Sequence, residues 1–136
     1  MIRPIMRDVF FLSQPSEAAV KDDMPIAVDL LDTLRAHEAE CLGLAANMIG
    51  VRKRIIAVSM GPVNVAMLNP VLVSKSGPYQ TEEGCLSIDG IRPVTRWQDI
   101  EITFYTLDFK PVRMKYSGLT AQIIHHELDH LEGILI

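Results

Sequence analysis

Apolar residues recur at helical spacing after Asp22-Asp23: Ile26, Leu30, Leu31 and Leu34 lie on one face, with Pro25 just inside the start. This predicts a long N-terminal amphipathic helix running to about His37. From Arg54 the pattern changes to strand-like runs: Arg54–Met60, Val63–Leu68 and Val71–Ser74, broken at Gly61-Pro62 and Asn69-Pro70. Tyr79–Gly84 leads into Cys85-Leu86-Ser87. In Asp99–Leu107 the residues Ile100, Ile102 and Phe104 alternate with Glu101, Thr103 and Tyr105, and Pro111–Tyr116 pairs with it across Asp108-Phe109-Lys110. A last helix opens near Ser117, a good N-cap, and runs to about Glu132, where Gly133 suits a helix end. Helix, strands and helix in that order predict an α+β fold, a mainly antiparallel sheet packed around a buried C-terminal helix.

Between the first helix and the first strand lies Cys41-Leu42-Gly43-Leu44-Ala45-Ala46-Asn47-Met48-Ile49-Gly50. A run this apolar and small is unusual for a surface loop, and it implies backbone packed closely against a neighbour.

Composition changes the picture little. With 136 residues, 49% hydrophobic and 22% charged, the chain suits one globular domain over 1–136 and needs no disulfide staples. A formal charge of -4 and the lack of basic runs beyond Arg52-Lys53-Arg54 weigh against nucleic acid as the main partner. Arg3, Arg7 and Asp8 interrupt the start, so no signal-peptide core is expected, and no stretch has membrane-span length. A cytoplasmic protein is therefore expected, its two cysteines thiols or ligands rather than a disulfide.

The candidate chemistry is in the last helix. His126-Glu127-Leu128-Asp129-His130 reads H-E-x-x-H, and residues four apart share a helix face, so both imidazoles can meet one ion. Glu127 then stands beside it as the group that moves protons. A solvated polar face would explain the same letters, but Ile123, Ile124, Leu128 and Leu131 make this helix apolar over much of its circumference. Burying so much polar chemistry needs a reason. A catalytic site with three protein ligands needs one more donor. Cys85, in the turn Glu83-Gly84-Cys85-Leu86-Ser87, is the best candidate, with Cys41 as competitor; Asp129 reads as support for the ligands or as a ligand itself.

Three segments together resemble the peptide deformylase family: Gly43-Leu44-Ala45-Ala46, Glu83-Gly84-Cys85-Leu86-Ser87 and the His126–His130 helix, in that family's order. Asn69-Pro70, Arg96 beyond Cys85, and Asp108 with Pro111 in the hairpin also match, so the resemblance spans roughly residues 23 to 136. It implies a metal-dependent hydrolase that removes the formyl group from formylmethionyl peptides of nascent chains and releases formate. Cys85, His126 and His130 would hold Fe(II), with zinc or nickel able to take its place. Glu127 would take a proton from the attacking water and return it to the leaving amine. The backbone N–H of Leu86 would donate to the oxyanion, and Leu42, Gly43, Leu86 and Ile123 would line the substrate groove, although each also suits an ordinary core. Glu83 and Arg96 would pair and brace the Cys85 turn, unless Arg96 is a solvated surface residue. Ribosome association is a further expectation, weakened by the chain's end at Ile136.

The sequence departs from that family at Met48, in the substrate groove, where a glutamine side chain would supply the second oxyanion donor. Methionine has no hydrogen to donate. Losing one such donor typically raises a barrier by about 2.7–4 kcal/mol. Asn47 could supply the amide instead, but neighbouring residues seldom point the same way. Cys41 replaces a glycine and His125 a glutamine of the family. A weak or inactive paralogue that binds metal and peptide is the alternative reading, and Met48 keeps it open.

Overall fold

The computed structural model describes residues 1–136. Its elements in order are α1 (Val9–Leu12), α2 (Met24–Ala36), β1 (Gly43–Ala45), β2 (Ile55–Ser59), β3 (Asn64–Gly84), β4 (Ile91–Tyr105), β5 (Pro111–Ser117) and α3 (Gly118–Leu131). The strands form one five-stranded sheet in the order β1-β2-β3-β4-β5, antiparallel throughout. The α+β reading is borne out. The N-terminal helix is not long: α2 has 13 residues, because Asp23 and Pro25 set its start and the chain turns from His37 to Glu40. Upstream of it, four-residue α1 is too short to show any helical period, and is capped by Asp8 accepting from the Phe10 and Phe11 N–H groups.

Ile55, Ile56, Ala57 and Val58 of β2 are all fully buried, so both faces of the sheet are covered there. α2 packs against β1, β2 and β3 through Ala27, Leu30 and Leu34, while α3 packs against β1, β2, β4 and β5 through Ala121, Ile124, Leu128 and Leu131. Each fully buried leucine or isoleucine among these contributes about 1.5–3 kcal/mol. No helix is long and apolar enough to cross a membrane.

Two strand boundaries differ from the pattern reading. Asn69-Pro70 does not end a strand; it is an irregularity within β3, with a register shift between Leu68 and Val71. Asn69 takes a positive φ of 51°, and its side chain replaces the lost ladder bonds, accepting from the Ala19 N–H at 2.7 Å and donating to the Ala19 carbonyl at 2.9 Å. β4 also starts at Ile91 rather than Asp99. Its first half reaches past the end of β5, so Pro93 sits where a missing N–H costs little. The hairpin of β5 with β4 across residues 108–110 is as expected.

The long β3–β4 pairing positions the candidate chemistry. Glu83 stands opposite Arg92 and Tyr79 opposite Arg96 in its register. The end of β3 thus delivers Cys85 in the turn to β4, directly beside α3.

Candidate metal centre

α3 has two faces that are both buried. Ala121, Ile124, Leu128 and Leu131 meet the core, while His126, Glu127 and His130 (8%, 4% and 0% exposed) face the end of β3. Facing atoms of Cys85, His126 and His130 lie within 4.8 Å of one another. His130 Nε2 is 3.0 Å from His126 Nε2 and 3.4 Å from Cys85 Sγ. Two imidazole lone pairs and a sulfur converging this closely suit a divalent transition ion, with a fourth position left toward solvent. Cys41 stays outside this set. It sits half-exposed in the cavity wall, its thiol pushed up to about 11 by burial and then by the Glu127 charge, so it is a neutral thiol. Both cysteines are free.

Glu83 holds the arrangement from behind. Its Oε1 accepts from His126 Nδ1 and Arg96 Nη2, each at 2.7 Å, and its Oε2 accepts from Arg96 Nε and Gln122 Nε2, each at 2.9 Å. Four donors saturate a carboxylate. Burial opposes its charge, but the bonds from His126, Arg96 and Gln122 hold it well below the usual carboxylate range. The Nδ1–H of His126 is thereby fixed, which turns its Nε2 lone pair toward the site. Arg96, 2% exposed, also reaches Asp129 Oδ2 at 2.7 Å. The ion pair expected of Glu83 and Arg96 is therefore fully buried, where losing one partner typically costs about 3–5 kcal/mol. Asp129 braces Arg96 and is not part of the donor set. His125 is half-buried with Nδ1 unpartnered, outside the cavity wall.

The protonation pattern without an ion is uneven. Burial opposes a charge on His126, yet Cys85 and Glu83 raise it to about 10, while burial and the charge on His126 push His130 down to about 3. Without an ion His126 therefore holds the proton and His130 stays neutral, and a cation bound by both displaces that proton.

Glu127 is pushed up to about 7, chiefly by burial, and its Oε1 has no hydrogen-bond partner in the protein. Gly43 leaves the space it occupies: a Cβ there would lie 2.8 Å from Ile123 Cγ2 and 2.9 Å from Glu127 Oε2. The close packing expected of the Cys41–Gly50 run is this contact. Gly43, Leu44 and Ala45 form β1 at the sheet edge, and residues 46–49 form a single 3-10 turn, with every residue from 43 to 49 buried.

A cavity of about 430 Å³ opens onto Glu127, Cys85 and His126. Leu42, Gly43, Met48, Leu86 and Ile123, all anticipated, line it; Leu42 is 44% exposed and so belongs to the rim rather than the core. No protein acceptor takes the Leu86 N–H. Met48 is 2% exposed, and its sulfur sits 3.4 Å from the Ala45 N–H, as acceptor and never donor. Asn47 does not supply the missing amide: its Nδ2 turns away to the His130 carbonyl at 2.9 Å. Glu40, Leu119 and Gln122 also line the cavity and were not foreseen from the sequence. Gln122 carried a faint signal, four residues before His126 and so on the same helix face.

A family model for polypeptide deformylase matches residues 6–136. The peptide deformylase of Clostridium beijerinckii is 52% identical over 136 residues, covering all of both chains. That of Thermomicrobium roseum is 45% identical over 120 residues, covering 81% of this chain and 67% of its own. The solved peptide deformylase from Legionella pneumophila superposes with a TM-score of 0.88 at 29% identity, over 99% of this chain and 83% of that one. The Acinetobacter baumannii peptide deformylase with Met-Ala-Ser bound superposes with a TM-score of 0.88 at 26% identity, over 99% and 97%.

Proposed function

The chain belongs to the polypeptide deformylase family, and from that premise we propose how its residues perform the reaction. It is a metal-dependent hydrolase that removes the N-formyl group from nascent peptides. The observation that carries the residue assignment is the convergence of Cys85, His126 and His130 beside Glu127 on one cavity.

In this reading Cys85, His126 and His130 hold one divalent ion, Fe(II) in the native enzyme with zinc or nickel as substitutes. When bound, that ion supplies Lewis-acid polarisation of the formyl oxygen and acidifies the attacking water. Glu127 takes the proton from the water on its carboxylate and delivers it to the nitrogen of the leaving amine. The Leu86 N–H donates to the oxygen on which negative charge develops. Extended peptide backbone lies along the free edge of β1 beside Gly43, and Leu42, Leu86 and Ile123 receive the methionine side chain. Met48 lies in the same wall and adds no donor, so the enzyme turns over slowly. Residues 1–136 act in this reading as one catalytic domain on nascent chains in the cytoplasm, with ribosome association a further part of it.

Formate release from formyl-Met-Ala-Ser, followed with protein purified anaerobically in Fe(II), tests the reading. Turnover that stops on chelation and returns with Fe(II) is the expected result. No formate above the chelated control would overturn it.

A further inference from the structure

Gln122 is a polar side chain in the cavity wall that this mechanism does not use. Leu42, Leu86, Leu119 and Ile123 are apolar, but between them Gln122 presents an amide. Its orientation is determined by its partners. Both Glu83 oxygens accept from the donor-only guanidinium of Arg96, so the Gln122 Nε2 faces Glu83 Oε2 as a further donor at 2.9 Å, and the Tyr79 hydroxyl donates to Gln122 Oε1 at 3.2 Å. Each Glu83 oxygen already accepts two hydrogen bonds, so it has no place for the second Nε2 hydrogen. No other protein group accepts that hydrogen, and the cavity is the space that Gln122 lines.

We propose that Gln122 determines side-chain specificity, its free N–H favouring substrates whose first side chain carries a hydrogen-bond acceptor near its tip. This rests on the deformylase reading and deepens it. The substrate class is formyl peptides that begin with a thioether or, more strongly, with the sulfoxide formed when that methionine is oxidised. A hydrocarbon side chain of equal length expels water from the N–H and returns no partner, which is the arrangement that disfavours an analogue lacking an acceptor. A thioether is a weak acceptor and a sulfoxide oxygen a strong one, so the preference grows from norleucine to methionine to methionine sulfoxide.

The test measures kcat/KM for formate release from formyl-Met-Ala-Ser, formyl-norleucyl-Ala-Ser and formyl-methionine-sulfoxide-Ala-Ser, with wild type, Gln122→Leu and Gln122→Met. Losing one of the four bonds to Glu83 slows all three substrates together, so the ratios between substrates separate recognition from bracing. The wild type is expected to favour methionine over norleucine severalfold and to process the sulfoxide. In whichever variant folds, methionine and norleucine become equal, and the sulfoxide falls relative to norleucine by about tenfold, the order one neutral hydrogen bond supports. Unchanged ratios in a folded variant, or wild type that prefers norleucine, would overturn the inference. Wild type that releases formate from none of the three would overturn the deformylase reading itself, and this inference with it.

Discussion

Replacing Glu127 by glutamine lowers formate release by about a hundredfold to ten-thousandfold, the span expected when a positioned proton-transfer group is removed. The side chain is 4% exposed and one of its oxygens has no protein partner, so no neighbour stands ready to take over the proton. The same substitution stabilises the metal-free protein above neutral pH. In the unfolded chain this carboxyl titrates near 4.5, and in the folded chain near 7, chiefly because of burial. Between those values the folded state holds a proton that the unfolded state has released, so stability falls as pH rises from about 4.5 through 7. A glutamine in its place has no charge to bury. Thermal melts of metal-free wild type and Glu127→Gln should therefore coincide at pH 4 and separate at pH 8, the variant melting higher. With an ion bound, its positive charge favours the Glu127 carboxylate, so the acid-side fall of wild-type kcat/KM lies below the pH of this metal-free titration. Full turnover in Glu127→Gln, or melts that separate only in acid, would count against this role.

Met48→Gln is expected to raise kcat by about a hundredfold to a thousandfold, the value of one preorganised oxyanion donor. The geometry favours the exchange. Glutamine is close to methionine in length, and at this position its Oε1 can accept from the Ala45 N–H as the sulfur now does, leaving its Nε2 toward the cavity. Leu86 then has a partner in holding the developing charge. The gain belongs to kcat more than KM, because the donor meets charge that exists only in the transition state. An unchanged kcat in a folded Met48→Gln protein would mean that this chain draws its second donor from elsewhere in the cavity. The amide of Asn47 is not that source, since it is committed to the His130 carbonyl.

How much of the site and fold is legible in the sequence depends on the range of each interaction. The histidines and Glu127 are local to one helix, where spacing alone states which side chains share a face. Cys85 lies 45 residues before His130, a distance that no periodicity spans, and only the ordered motifs link the two segments. The role of Glu83 is half visible. Its pairing with Arg96 is expected as a brace for the turn, but that it also fixes His126 depends on the β3–β4 register and on where α3 docks. The length of β3 is hidden by Asn69-Pro70, because a positive-φ residue before proline reads as a strand end unless a distant partner, here Ala19, satisfies it. Pro93 and its charged neighbours hide the first half of β4 in the same way, since an unpaired outer edge tolerates what an interior strand would not. Cys41 competes with Cys85 for the third ligand position on sequence alone, and only the fold places it in the cavity wall outside the donor set.

The proposed mechanism centres on a thiolate from Cys85 and imidazoles from His126 and His130 as the ligands of one metal ion. Cobalt(II) added to the metal-free protein tests this without reference to turnover, because a bound thiolate announces itself as a thiolate-to-cobalt charge-transfer absorption. The predicted result is one ion per chain with that band, the band lost in Cys85→Ser and kept in Cys41→Ser. A band that survives Cys85→Ser, or one that disappears in Cys41→Ser instead, would contradict it.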